Sequence, residues 1–201
     1  MMHPEVLPRQ SAEAISILKQ MPFIGQFYLA GGTGLALRMG HRLSADFDFF
    51  SQKKFDEALI LRELAKTKSF SLEKRDTQTI IGTLKKTKIA FFYYPYPLLK
   101  KETEQDGVKT ASVLDITCMK IEAISSRGTK RDFIDLYVAA KEVSLKELLI
   151  QFETKYSALN YNMMHIKKSL LYFDDAEDEP MPKMLTPISW EEVKNFFKKS
   201  F

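Results

Sequence analysis

The stretch FYLAGGTGLALRMGHRLSADFDFF (residues 27–50) decides the fold, because it joins an apolar strand to a double glycine and then to two nearby aspartates. Glycine at positions 31 and 32 permits a sharp turn and the close approach of a bulky anion. A helix that begins at Thr33 would offer its free N–H groups to the same anion. The stretch therefore predicts an anion-binding turn between a strand and a helix.

Asp46 and Asp48 are separated by one residue in the segment ADFDFF, which alternates acidic and aromatic residues with the period of a strand. Residues i and i+2 of a strand face the same side, about 6.5–7 Å apart. Two such carboxylates repel one another unless a cation lies between them, and a pair of Mg²⁺ ions about 3.5–4 Å apart suits this spacing. The alternative is the charged outer face of an edge strand, which the flanking phenylalanines disfavour.

The glycine turn is not a Walker motif, because no Gly-Lys-Ser/Thr follows it, and it lacks the GxGxxG spacing of a dinucleotide site. A phosphate-binding helix that returns to a strand with Asp-x-Asp is more specific than either part alone. This unit predicts the binding of a metal-chelated nucleoside triphosphate.

Composition and charge place the chain among globular proteins with a basic body. Its 201 residues are 45% hydrophobic and 28% charged, with a net charge of +4. The segment DDAEDE (residues 174–179) holds five of the 26 acidic residues, so the remaining 21 acidic and 30 basic residues give +9. A basic body is compatible with nucleotides or RNA, and equally with an ordinary basic protein.

Other features indicate a reducing compartment and no membrane anchor. The one cysteine, Cys118, lies at apolar helical spacing, which favours a buried core thiol over a nucleophile. The segment MMHPEVLPRQ has no apolar signal-peptide region, and no run of 18 apolar residues occurs. These observations predict a soluble, cytoplasmic protein.

Periodicity along the chain predicts an α+β fold, with a small mixed sheet and flanking helices first and a helical part second. Ser11 is expected to cap the first helix, and three antiparallel strands are expected over residues 69–94. After a polar loop, KKETEQDG, the pattern is helical to the end, with an acidic loop before a last helix capped by Ser189 and Glu192. We therefore expect a core at residues 1–104 and a mainly helical part at residues 105–201.

A second block, DITCMKIEAISSRGTKRDFIDLY (residues 115–137), places charged residues on helix faces. Lys120, Ala123 and Arg127 share one face at i, i+3 and i+7, so two cations point the same way. Asp132 and Asp135 share another face. Such cations could hold a triphosphate or neutralise charge in a transition state, and a plain set of surface salt bridges is the alternative.

The two blocks together resemble the nucleotidyltransferases of the DNA polymerase β superfamily, and more narrowly the AbiEii/AbiGii toxins, which are grouped with MenT-type toxins. The first block carries the Gly-Gly and Asp-x-Asp motifs, and the second fits a K-x-x-A-x-x-x-R-x-x-x-R-D-x-x-D pattern. The resemblance implies a polymerase-β-like core, Mg²⁺ with two ions, an NTP substrate, and a toxin–antitoxin or phage-defence system with a cognate antitoxin.

The resemblance also implies roles for single residues. Asp46 and Asp48 would bind metal and act in catalysis, Lys120 would stabilise phosphate charge, and Asp132 would be the base. The expected nucleotide-binding residues are Gly31, Gly32, Thr33, Arg42, Ser44, Arg127 and Arg131.

One departure concerns the mechanism. Enzymes of this superfamily usually carry a third carboxylate on a neighbouring strand, and the strand KIAFFYY has none. Asp132, Asp135 or Asp115 could reach in, or two carboxylates suffice. A nucleotide-binding regulator without catalysis therefore stays an alternative, as does transfer to a small molecule of the antibiotic type.

The expected acceptor is a structured RNA, with tRNA favoured because some family relatives modify tRNA ends. Lys120, Arg127, Lys130 and Arg131 would bring positive charge close to the site. The acidic loop would lie away from the RNA or limit non-specific binding. The segment KKTK (residues 85–88) is expected to be a solvated turn, with contact to RNA as the alternative. His41 is expected to be a loop residue and not a metal ligand, because no His/Cys cluster accompanies it.

Overall fold

The computed structural model describes residues 2–201, and its centre is one mixed sheet of seven strands. Met1, the first residue of the predicted core, lies outside this range. The order of the strands across the sheet is β3-β4-β5-β2-β1-β7-β6. In chain order the strands are β1 (Tyr28–Ala30), β2 (Phe47–Ser51), β3 (Phe70–Asp76), β4 (Thr79–Leu84), β5 (Thr87–Tyr93), β6 (Thr103–Gln105) and β7 (Val108–Thr110).

Helices cover both faces of the sheet and form most of the C-terminal half. They are α1 (Arg9–Leu18), α2 (Gly31–Met39), α3 (Glu57–Ala65), α4 (Val113–Ser126), α5 (Lys130–Ala139), α6 (Leu145–Lys155), α7 (Met163–Ser169), α8 (Asp174–Glu177) and α9 (Trp190–Ser200).

The central strand β2 pairs with β1 in the antiparallel sense and with β5 in the parallel sense. The register sets Ala30 of β1 and Ala90 of β5 opposite Asp48. Phe47 and Phe49 are fully buried on one face of β2, where they pack with residues of α1 and α3. Asp48 therefore points to the other face, which α2 and α4 cover.

Local sequence signals explain where the helices of the C-terminal half begin. The side chains of Ser112, Thr129, Ser144 and Ser189 each accept a hydrogen bond from a backbone N–H in the first turn of α4, α5, α6 and α9. Gly40 ends α2 with a φ of +65°, a conformation that glycine adopts without strain. The cap of the last helix confirms the predicted role of Ser189.

The polar loop predicted before the helical half is instead the hairpin β6–β7. Asp106 and Gly107 form its turn with φ values of +51° and +78°, and Asp-Gly is a strong signal for such a turn. The hairpin joins the sheet because β7 pairs with β1 in the parallel sense. The expectation of a plain loop was wrong because the short strands carry little apolar alternation of their own.

Three smaller expectations also differ from the structure. The first helix begins at Arg9 after Pro8, so Ser11 is buried inside α1 and is not its cap. Helix α2 begins at Gly31, two residues before the expected start at Thr33. The acidic loop contains the short helix α8.

Other expectations hold. Strands β3, β4 and β5 form the predicted antiparallel run, and Lys85 and Lys86 form the turn between β4 and β5. Cys118 is a free, fully buried thiol, and burial raises its pKa to about 12. The division at residues 104/105 stays a prediction, and such a boundary would fall inside β6.

No helix within residues 2–201 combines the length and the apolar character needed to cross a membrane.

A buried ion pair between α4 and α6 binds the loop that precedes β6. Asp115 of α4 accepts hydrogen bonds from the Leu99 and Lys100 N–H groups at 2.8 and 3.2 Å. It also pairs at 2.8 Å with Lys155, whose ammonium reaches the carbonyl oxygen of Pro97 at 2.7 Å. Both side chains of the pair are 0% exposed.

We expect Asp115→Asn to lower the free energy of unfolding by about 3–5 kcal/mol, because the Lys155 ammonium would stay buried without its counter-charge. Denaturant titration measures the loss. The Asp115→Asn/Lys155→Met double variant should lose less than the sum of the single variants. A loss below about 1 kcal/mol in Asp115→Asn would contradict a structural role for the pair.

Candidate active site

The site begins at the two glycines that link β1 to α2. Gly31 has a φ of +62°, and a Cβ atom built on it would lie 2.5 Å from Oδ2 of Asp48. A Cβ on Gly32 would lie 2.5 Å from Nη2 of Arg42. The positive φ thus requires glycine at position 31, whereas a side chain at position 32 would displace the Arg42 guanidinium that packs against the start of α2.

Hydrogen bonds hold the segment that leads into β2 against α2. The hydroxyl of Thr33 bonds to the Ser44 hydroxyl at 2.7 Å and donates to the carbonyl oxygen of Asp46. Thr33 is 2% exposed. Its hydroxyl therefore positions Asp46, the residue immediately before β2, while the N–H groups at the start of α2 remain the part of this turn suited to phosphate.

Asp46 is exposed and Asp48 is half-buried, and neither carboxylate has a hydrogen-bond or ion-pair partner within residues 2–201. Burial raises the pKa of Asp48, Lys120 opposes this rise, and the neighbouring Asp46 carboxylate adds to it. A cation between the two would remove this penalty, and unpaired oxygen ligands are those that Mg²⁺ prefers. The described residues contain no group of three or more His, Cys, Asp or Glu able to hold a metal ion.

The neighbouring strand β5 presents no acid beside this pair. Ala90 lies opposite Asp48, and Lys88 precedes the Phe47–Ile89 pair by one residue. The expected third carboxylate is thus absent from the described strand. A cation, Lys88, stands on that side of the site instead.

Helices α4 and α5 bring a buried charge network to the same place, centred on Asp135. Its carboxylate accepts hydrogen bonds from Nε and Nη2 of Arg42 at 2.7 and 2.9 Å, and it contacts Nε2 of His41 at 2.8 Å. Nζ of Lys120 lies 2.7 Å away. Burial alone would raise the pKa of Asp135, but Lys120 and Arg42 hold it well below its usual value.

The Asp132 carboxylate is also fully engaged in hydrogen bonds with neighbouring side chains. It accepts hydrogen bonds from Lys120 at 2.8 Å, from Nε of Arg127 at 3.0 Å and from the Thr129 hydroxyl at 2.7 Å. Against the effect of burial, Lys120 and Arg127 keep the pKa of Asp132 below its usual value. These contacts argue against the general-base role expected for Asp132 and favour the positioning of Lys120 and Arg127.

The predicted site residues line two adjoining pockets. The polar pocket, of about 240 Å³, holds all of them except Gly31. The aromatic pocket, of about 350 Å³, holds Gly31 and also contains Phe50, Phe92, Tyr94, Met119, Glu122 and Ser126. The two pockets share Gly32, Asp48, Lys120 and Arg127.

Sequence reasoning missed several residues of the site. Lys88 could have been found, because it alternates with Ala90 on a strand next to the aspartates. Thr129 could also have been found from the Thr-x-x-Asp cap of α5. His41 lies in the loop between α2 and β2, as expected, but no sequence signal marks its burial there. No sequence signal marks Glu122 either.

Lys130 was expected to face RNA, but it is 5% exposed. Its ammonium binds the carbonyl oxygens of Glu177 and Glu179, and its backbone N–H donates to the Glu179 carboxylate at 2.8 Å. The acidic segment thus packs against the start of α5 through two backbone carbonyl oxygens and the Glu179 carboxylate. Arg131 is exposed at the mouth of the polar pocket.

The fold and the comparisons with known proteins identify a nucleotidyltransferase with a polymerase-β-like core. A family model described as the nucleotidyl transferase AbiEii toxin of type IV toxin–antitoxin systems matches residues 16–99. An uncharacterised protein of Aquifex aeolicus is 39% identical over 199 residues, which cover 96% of this chain and 95% of the relative. The chain belongs to the AbiEii nucleotidyltransferase toxin family.

Solved structures share the fold. The nucleotidyltransferase toxin MenT4 of Mycobacterium tuberculosis aligns with a TM-score of 0.59 at 13% identity, over 96% of this chain and 84% of its own. A Helicobacter pylori protein assigned as a nucleotidyltransferase aligns with a TM-score of 0.58 at 17% identity, over 96% and 93% of the two chains. The predicted α+β class, the polymerase-β-like core and the family resemblance are confirmed.

The protein is thus a nucleotidyltransferase toxin of a type IV toxin–antitoxin system. Membership of this toxin family implies that the protein uses a nucleoside triphosphate as substrate and has a cognate antitoxin.

We expect Asp135→Asn to lower the free energy of unfolding by about 3–5 kcal/mol at neutral pH, because Arg42 and Lys120 would lose their buried counter-charge. The folded-state pKa of Asp135 is depressed, so its stabilisation is present above the ordinary value of 3.8 and is lost as the pH falls further. Denaturant titrations between pH 7 and 3 should therefore show the difference from wild type shrinking in acid. The exposed turn variant Asp106→Asn should show no such difference, and an equal loss in both variants would contradict the role of the network.

Proposed function

We propose that this toxin uses Mg²⁺ to transfer a nucleoside monophosphate from an NTP to a structured RNA, with tRNA as the expected acceptor. The observation that carries the chemistry is the pair of unpaired carboxylates, Asp46 and Asp48, beside the start of α2. The pocket that they face also holds five cations, namely Arg42, Lys88, Lys120, Arg127 and Arg131. Metal, phosphate and a positively charged wall are the parts that phosphoryl transfer needs, because its catalysis is mostly positioning and charge stabilisation.

Asp46 and Asp48 would hold the metal, with water and phosphate oxygens completing its ligands. When bound, Mg²⁺ supplies charge neutralisation at the reacting phosphate. The donor set fits this ion because it consists of oxygen atoms only, and both carboxylates are free of protein partners among the described residues.

Gly31 and Gly32 would cradle the triphosphate. Helix α2 begins at Gly31, so its first N–H groups have no partner within the helix and suit an anion. Asp48 packs on Gly31, so a metal ion held by Asp48 would lie next to this helix start. Phosphate oxygens could then contact the metal and the helix N–H groups together.

Lys120 and Arg127 would stabilise charge on the phosphates. Lys120 is 5% exposed, donates a hydrogen bond to Asp132 at 2.8 Å and pairs with Asp135 at 2.7 Å, so two carboxylates hold its ammonium in place. Such a preorganised cation stabilises developing charge without reorganising. Arg42 and Ser44 line the same pocket, and Arg42 is held against Gly32 by Asp135.

We expect Asp48→Asn and Asp46→Asn each to lower the rate of nucleotide transfer about a hundredfold or more, because each removes a charged metal ligand. Incorporation of labelled NMP into cellular RNA, with each NTP in turn, measures the rate. The exposed turn variant Asp106→Asn makes the same chemical change elsewhere and should retain wild-type activity. Unchanged labelling in both site variants would remove this site from the reaction.

The absence of an acid on β5 beside Asp48 keeps a second candidate, a nucleotide-binding regulator without catalysis. Calorimetry showing metal-dependent NTP binding, with no labelled product from RNA, protein or small molecules, would favour it. A growth assay distinguishes a toxin from an enzyme that transfers nucleotides to a small molecule. A toxin arrests its host on expression, whereas a drug-modifying enzyme protects its host from the drug.

The acceptor proposal rests on exposed cations at the mouth of the polar pocket. Arg131 and Lys88 are exposed there, whereas Lys120 and Lys130 are buried and committed to protein partners. Phosphate contacts by exposed cations make RNA binding steeply salt-dependent, which a neutral small acceptor would not show.

We expect the Lys88→Ala/Arg131→Ala double variant to weaken tRNA binding and to flatten its dependence on salt. Each lost phosphate contact should reduce the slope of log K against log salt by about 0.7–0.9. Filter binding and labelled transfer between low and physiological salt provide the measurement. Lys74→Ala, on the exposed strand β3, is the matched control, and activity indifferent to salt in every protein would leave the RNA acceptor without support.

A further inference from the structure

The aromatic pocket is lined by residues suited to binding a planar ring. The rings of Phe50 and Phe92 line it with centroids 5.4 Å apart and an interplanar angle of 31°, and Tyr94 meets Phe50 edge-on at 5.4 Å. Residues of this kind bind flat, weakly polar groups by stacking. Its volume of about 350 Å³ lies within the range of small-molecule sites.

The position of the aromatic pocket connects it to the reaction. It shares Asp48, Lys120 and Arg127 with the polar pocket, so one ligand can occupy both. A nucleoside triphosphate has a charged tail joined to a planar base. The polar pocket suits the tail, and the aromatic pocket is the adjoining apolar space for the base.

Glu122 of α4 is the one acid of the aromatic pocket besides Asp48. Within residues 2–201 its carboxylate has no hydrogen-bond or ion-pair partner, in contrast to Asp132 and Asp135 in the network behind it. The Tyr94 hydroxyl is engaged with that of Tyr156. The Ser126 hydroxyl donates to the carbonyl oxygen of Ala123 at 3.1 Å. The Glu122 carboxylate, in contrast, remains open to a ring.

We propose that the aromatic pocket binds the nucleobase of the NTP and that Glu122 selects bases that carry an exocyclic amino group. This inference rests on the proposed nucleotide transfer and deepens it. An ionised carboxylate only accepts hydrogen bonds, so it pairs with an amino group and repels a carbonyl oxygen at the same place. Cytosine, adenine and guanine offer an amino group, whereas uracil and hypoxanthine do not.

Two matched pairs of substrates test the proposal, because CTP and UTP differ at position 4 of the ring and ATP and ITP at position 6. In each pair, wild type should use the amino form with a kcat/KM about ten- to a hundredfold higher. Glu122→Gln should bring both ratios close to one, because an amide both donates and accepts. Glu153→Gln, an exposed glutamate on α6 outside the pocket, should keep the wild-type ratios.

Equal use of both members of each pair by wild type would overturn the proposal, and so would ratios left unchanged by Glu122→Gln. A uniform fall of kcat for all substrates in that variant would also overturn it, and would point to a proton-transfer role for Glu122. If wild type transfers no nucleotide, the proposed function fails by itself. Dissociation constants measured by calorimetry for the same two pairs of nucleotides then test the base-selection proposal. Tighter binding of CTP than UTP and of ATP than ITP would support it. Equal binding within each pair, or no binding, would overturn it.

Discussion

The buried carboxylate of Asp135 is the contact on which the rest of the site depends. It lies on α5 and binds Arg42, from the segment before β2, together with Lys120 from α4. Burying these charges costs several kcal/mol per ion, which only close pairing and full hydrogen bonding repay. Any arrangement of the sheet and the helical half that separated these charges would lose that compensation, and the arrangement that keeps them paired brings Lys120 and Asp48 to the same pocket.

The charged residues of the site fall into two groups: those paired within the protein, which hold side chains in position, and those without a protein partner, which can bind a ligand. Asp132 and Asp135 are saturated by Lys120, Arg42, Arg127 and Thr129. Asp46 and Asp48, in contrast, face the polar pocket without partners among the described residues, and packing on Gly31 holds Asp48 where α2 begins. Under the proposed function, the buried Lys120 beside these unpaired carboxylates would be in position before a substrate arrives, as electrostatic stabilisation of phosphoryl transfer requires.

Particular residues show how far the sequence could lead. The alternation around Phe47 and Phe49 predicted β2 and the common face of the aspartates, because a strand's side-chain period is local. The start of α5 could also be located from its own cap, Thr129. The hairpin β6–β7 was missed because its strands gain their stability by pairing with β1, residues that lie far away in the chain.

The sequence by itself determined the strand–turn–helix–strand unit of residues 27–50, the paired carboxylates and the family motifs, because turn chemistry and periodicity act over a few residues. Only the tertiary structure decided that Lys120 is buried between two aspartates, that Lys130 is fastened to the acidic segment, and that Glu122 faces an aromatic pocket. The physical reason is that a charge's partner, and hence its burial and its pKa, depends on which distant elements pack against it. That packing follows from the free energy of the whole fold, which no local pattern contains.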